Sequence, residues 1–204
     1  MTTREAFLAK VRQAQPPARP RPDVPLFATA GGDLRTRFTA ALQMMGGTCV
    51  EAAAASDVSE LIRERFGAAA SIASATREVP GTRALTADTE PASLQDIDVG
   101  VVRARFGVAE TGSVWFSERE YLVNALGYIV QHLVVLLDPA QMIDGLQDLY
   151  RRPDFREARY AALVTGPSAT ADIEGVLIRG AQGVRSLTVV WLAPPARLNE
   201  PPGA

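Results

Sequence analysis

The chain has 204 residues, 47% of them apolar and 22% charged, the balance of a globular protein whose core needs no disulfide or metal staple. The formal net charge of −2 supplies no global basic field to gather nucleic acid or anionic lipid. Lys10 is the only lysine and Cys49 the only cysteine, which excludes Schiff-base chemistry elsewhere, an intrachain disulfide, and a cysteine-ligated zinc site or iron–sulfur cluster built by this chain alone.

The opening MTTREAFLAK lacks the apolar run of a signal peptide, and no stretch approaches roughly 18 uninterrupted apolar residues, so no membrane span and a cytoplasmic location are expected. Thr2 and Glu5 have capping-box spacing and open a short helix with Phe7, Leu8 and Val11 on one face. The proline-rich stretch that follows favours extended geometry. The organisation reads as a helical arm over 1–15, a linker over 16–32, an α/β domain over 33–193 and a loose tail over 194–204. The arm packs on its own domain or on a neighbouring subunit of a homo-oligomer.

Within the domain, Leu34, Phe38, Ala41, Leu42 and Met45 follow helical spacing, and Gly46-Gly47 stops the helix. A strand over 48–51 precedes a helix with Asp57 as N-cap and Val58, Leu61, Ile62 and Phe66 as its stripe. Strands follow over 71–74, near Leu85, and over 99–103, 106–109 and 113–116. Ser117 and Glu120 form a second capping box, whose helix carries Tyr121, Leu122, Ala125 and Leu126. His132 opens HLVVLL, a strand buried on both faces over 132–137. Pro139 starts a helix with Met142, Ile143, Leu146, Leu149 and Tyr150 as its stripe. The chain continues as a strand over 161–165, a helix over 171–178 and a strand over 187–192. Helices alternating with short, doubly apolar strands define an α/β fold, a mostly parallel sheet with helices on both faces. In such sheets ligands sit beyond the carboxyl ends of the strands.

Two constellations carry chemistry. Ala109-Glu110-Thr111-Gly112-Ser113 joins two apolar runs. A partly desolvated Glu110 there can act as base, acid or nucleophile; in the blander alternative it is a solvated residue of a tight turn. Gly166-Pro167-Ser168-Ala169-Thr170-Ala171-Asp172-Ile173-Glu174 leaves a strand and is expected to enter a helix. Its amides and the Ser168 and Thr170 hydroxyls suit a phosphate or carboxylate, whereas Asp172 and Glu174 compete for the same positive helix end. Plain helix capping is the alternative. Gly180 reads as a helix C-cap. His132, the single histidine, suits a hydrogen-bonded core role better than catalysis, and no nucleotide-binding glycine loop is present.

FGVAETGSV, HLVVLLDPAQM and GPSATADIEGVLIRGAQG, in that order, resemble the LutC/YkgG-like lactate utilization proteins of the LUD-domain family. The resemblance runs from about Val99 to Leu192. It implies a NagB/RpiA/CoA-transferase-like fold, a role in oxidising L-lactate to pyruvate, and partner subunits that carry iron–sulfur clusters, with no cofactor bound by this chain alone. It also implies Glu110 as the functional carboxylate, with Thr111, Gly112, Ser113, Gly166, Ser168, Thr170, Asp172 and Glu174 as ligand-binding residues around a small anionic metabolite. Two positions depart from the family pattern: Ser113 stands for a threonine, and Gln182 stands for a histidine before Gly183. The alternatives are an autonomous CoA-transferase-like or sugar-phosphate isomerase-like enzyme using Glu110, and a binding module without turnover.

Overall fold

The computed structural model describes residues 3–20, 22–23, 25–26 and 31–195. Thr2, part of the linker and residues 196–204 of the tail lie outside the described residues, and with them the first capping box. Helix α1 (Thr3–Gln13) buries no side chain, and Phe7 and Val11 stand exposed. Residues 16–20 after it form no regular element.

Helix α2 (Leu34–Met44) starts where Asp33 accepts the Thr36 amide at 2.8 Å, satisfying one of the free amides of the first turn. It buries Phe38 and Leu42, as its spacing predicts. Strand β1 (Thr48–Glu51) leads to helix α3 (Ala55–Phe66). Asp57 is not the N-cap here. It lies inside the first turn and reaches back, its carboxylate accepting the Ala53 and Ala54 amides. Next come β2 (Ile72–Ser74), a 3₁₀ turn (Pro91–Leu94), β3 (Val99–Arg103), β4 (Phe106–Val108) and β5 (Ser113–Ser117). The strand expected near Leu85 is reduced to a single bridge between Ala73 and Arg83.

The Ser117–Glu120 capping box is present, with the Ser117 amide and hydroxyl both donating to Glu120. Its helix α4 (Glu118–Tyr121) ends after one turn, because Leu122 takes a positive φ of 59°; α5 (Leu126–Ile129) is a separate turn. Strand β6 (His132–Leu137) has the expected bounds. The helix expected from Pro139 is absent from its first half: Met142–Ile143 forms β7, and only α6 (Leu146–Arg151) is helical, followed by α7 (Pro153–Glu157). After β8 (Ala161–Val164), the helix expected over 171–178 is instead an antiparallel hairpin of β9 (Ala169–Ile173) and β10 (Val176–Arg179). Strand β11 (Ser186–Trp191) closes the order.

Five strands form one all-parallel sheet in the order β1-β11-β6-β3-β2. Its alternating residues face two cores. Val99, Val101, Val134, Leu136 and Val190 pack with Val58 and Ile62 of α3. Val102, Leu133, Val135, Leu137 and Val189 pack with Phe38 and Leu42 of α2. The fold is therefore α/β with a parallel central sheet flanked on both faces. A second, mixed sheet in the order β7-β4-β5-β8 joins the α2 side through Val114 and Phe116. Its opposite face packs Phe106, Val108 and Trp115 with Leu149 of α6.

Candidate functional site

Glu110 sits in the turn between β4 and β5, and its side chain is exposed. Its amide donates to the Asp144 carbonyl at 2.9 Å, and its Oε2 accepts the Leu146 amide at 2.9 Å. Asp148 Oδ2 accepts the neighbouring Gly145 amide. Two carboxylates thus satisfy free amides at the start of α6. This geometry is a structural role for Glu110.

Gly112 has a positive φ of 67°, and a Cβ there would lie 2.3 Å from the Leu42 nitrogen. The turn is therefore pressed onto the backbone of α2, and only glycine allows both the conformation and the approach. Thr111 and Ser113 share a hydroxyl contact, and Ser113, almost fully buried, continues to Thr165. Thr165 follows β8, which pairs with β5, and Gly166 comes next. A Cβ on Gly166 would lie 2.5 Å from the Met45 carbonyl oxygen, again at the end of α2. The two sequence motifs therefore meet, through the Thr111–Ser113–Thr165 hydroxyls and a shared helix. The β5–β8 pairing places Thr165 here, and no local sequence signal marks it.

Ser168 is held by backbone bonds to Val184 and Gly180, and Gly183 packs against it beside the exposed Gln182. Thr170, Asp172 and Glu174 lie outward along the hairpin. Thr170 donates to Asp172 Oδ2 at 3.0 Å, while Glu174 and Gly175, both with positive φ, form the two-residue turn. With a hairpin here, no helix start stands behind the Ser168 and Thr170 hydroxyls, and Gly180 turns the chain after β10 without capping a helix.

His132 opens β6 at the amino ends of the strands. It stacks on Phe66 at 4.5 Å and bonds Ser186 through Nδ1. Burial and then the nearby Arg185 push its pKa down, against the pull of Asp98. Among the described residues, no group of three or more His, Cys, Asp or Glu is placed to hold a metal ion.

At the opposite end of the sheet lies a cavity of about 620 Å³ that the sequence reading did not single out. Arg77, Arg103, Arg105 and Arg119 line it, with Glu78, Glu120, Asp138 and Gln141. Arg103 pairs with Glu78, and its Nη1 donates to the Leu192 carbonyl. Its buried Nη2 sits 2.8 Å from Glu78 Oε2 as an ion-pair contact, but in that orientation it makes no hydrogen bond. Arg105 bridges Glu120 and Asp154. Burial works against the Arg105 charge, yet those two carboxylates outweigh it and raise its pKa. Burial likewise pushes Asp154 up, while Arg152 and Arg105 hold it below the ordinary carboxylate value. Sequence order hides this cluster because its members come from the ends of β2, β3 and β6 and from α4.

A parallel α/β sheet with an appended mixed sheet defines the class. The LUD domain model matches residues 91–192, half of the chain, and the chain belongs to the LUD domain family. The crystal structure at 1.70 Å resolution of a DUF162 family protein from Deinococcus radiodurans is similar, with a TM-score of 0.55 over 78% of this chain and 95% of that one. At 16% identity that likeness shows the fold alone. No curated protein matches the chain. No helix among the described residues is long and apolar enough to cross a membrane.

Proposed function

We propose that the chain is a LutC-like subunit supporting the oxidation of L-lactate to pyruvate alongside partner subunits that carry iron–sulfur clusters. The observation that carries this reading is the LUD domain match over 91–192, a family associated with lactate utilization. Lactate oxidation releases two electrons and two protons. A cluster needs several thiolates, and this chain has one half-buried thiol, Cys49, whose pKa burial pushes up. In this reading the electrons pass through the partners.

The reading also assigns the Glu110 turn, with Thr111, Gly112, Ser113, Gly166 and Ser168, to contact with a small anionic metabolite. Its support is the meeting of the two motifs through Ser113 and Thr165. Thr170, Asp172 and Glu174 then belong to the exposed hairpin and contribute at most from its side. A self-contained enzyme using Glu110 as nucleophile gains no support from the geometry, since Oε2 already serves the Leu146 amide.

Affinity capture of the chain from lactate-grown native cells tests the subunit reading. Recovery of cluster-bearing, lactate-oxidising partners at near-equal stoichiometry is expected, and recovery of the chain alone overturns it. Glu110→Gln tests the turn: reduced lactate-dependent growth at normal abundance is expected, and normal growth removes the assignment.

A further inference from the structure

Four of the five strands of the parallel sheet deliver residues to the 620 Å³ cavity as they end. Strand β2 is followed by Arg77 and Glu78, β3 ends in Arg103 and runs on to Arg105, β6 is followed by Asp138, and β11 by Pro194. Arg119 enters from α4. Convergence of strand ends on one hollow is the arrangement by which open α/β sheets hold ligands. The volume also falls within the span typical of sites for whole small molecules.

The charges decide what fits. Two of the four guanidinium groups are committed: Arg103 to Glu78, and Arg105 to Glu120 and Asp154. Arg77 and Arg119 are exposed and in no ion pair among the described residues. Guanidinium forks match the two oxygens of a carboxylate or phosphate. Asp138 remains on the same wall with Oδ1 turned to the Ala140 amide. A bare anion is repelled by it, whereas a ligand that offers hydroxyl donors is not. The hollow is also larger than a three-carbon acid needs.

We infer that this cavity binds a polyhydroxylated organic anion larger than lactate, with Arg77 and Arg119 holding its carboxylate or phosphate and Asp138 and Gln141 taking its hydroxyl groups. This inference stands apart from the lactate reading, because it rests on different residues and is measured on the isolated chain.

Calorimetry on the purified full chain tests it with three probes: gluconate, glucose 6-phosphate and inorganic phosphate. The first two distinguish a carboxylate head from a phosphate head. At least one of them is expected to bind once per chain with a Kd below about 1 mM, and inorganic phosphate about tenfold more weakly or not at all. The double variant Arg77→Gln with Arg119→Gln is expected to lose about tenfold or more with its Tm unchanged, since both side chains are exposed. Asp138→Asn is expected to narrow the gap between inorganic phosphate and the hydroxylated anion. Failure of both hydroxylated probes to bind at about 10 mM overturns the inference. So does an unaltered Kd in the double variant, or inorganic phosphate binding as tightly as the organic anions.

Discussion

The five-stranded parallel sheet and the hairpin of β9 and β10 are opposite kinds of β-structure. In the sheet, β6 is buried on both faces: Leu133, Val135 and Leu137 face one core, and Val134 and Leu136 face the other. In the hairpin, Ile173, Val176 and Leu177 are 51%, 59% and 58% exposed, and nothing among the described residues covers them. In the sheet, burial fixes register, because a slip of one residue would turn each apolar side chain to the wrong core. In the hairpin, local turn chemistry fixes it: Ile173 pairs with Val176 across Glu174-Gly175.

The contrast is sharpest in core truncation. Phe38→Ala removes a fully buried ring that meets Trp191 edge to face at 5.2 Å, and is expected to cost about 4 kcal/mol in urea unfolding. Leu177→Ala on the hairpin is expected to change stability by less than about 0.5 kcal/mol. Comparable losses at the two sites would mean that the hairpin is covered by something in solution.

Glycines break the comparison in a second way. Gly112 and Gly175 have nearly the same φ, 67° and 70°, so an alanine pays similar backbone strain at either. At Gly175 nothing lies within 4 Å of the new Cβ, whereas at Gly112 it meets the α2 backbone. Gly175→Ala is expected to cost about 1 kcal/mol and Gly112→Ala about 3 kcal/mol, read as the difference between urea midpoints. Equal costs would show that α2 yields freely to the turn.

The same difference explains what the sequence reveals. Strands over 99–103 and 132–137 are legible because a short run with no polar face fits a strand buried on both sides. Ile173, Val176 and Leu177 have the spacing of a helical stripe, and that spacing alone predicts a helix over 171–178. The overlooked signal is Glu174-Gly175, a pair whose second residue readily takes the positive φ of a tight turn. The helix expected from Pro139 fails for a related reason: Met142 and Ile143 pair with Gly107 and Val108, a long-range contact that outweighs local preference. Of the candidate site, the Glu-Thr-Gly turn is visible as a motif, but its partner Leu146 lies 36 residues on. The arginine cavity is invisible because Arg77, Arg103, Arg105 and Arg119 meet only through topology.

Glu110 itself separates structure from function. Glu110→Ala removes the acceptor for the Leu146 amide and is expected to cost about 1 kcal/mol, whereas Glu110→Gln keeps an oxygen there and is expected to cost less. If lactate-dependent growth falls in both variants in proportion to stability, the residue serves α6 alone. A loss in Glu110→Gln at unchanged Tm assigns the carboxylate charge to the metabolite or partner contact.

The smallest expected effect is a pH dependence at the amino end of β6. His132 is held toward its neutral form by burial and by Arg185, with Asp98 opposing. Its folded pKa thus lies below the usual value near 6.5. The unfolded chain therefore takes up the proton first as pH falls, and the native state loses stability on passing below about 6.5. Above that pH both states hold a neutral ring, and the contribution is fully present. Urea midpoints of the wild-type chain and of His132→Gln, compared at about pH 7.5 and about pH 5.5, isolate this group from the carboxylates that both proteins share. The stability advantage of wild type over the variant is expected to shrink at the lower pH. An advantage that grows there would mean that Asp98 outweighs burial and Arg185, and that His132 is protonated in the native sheet.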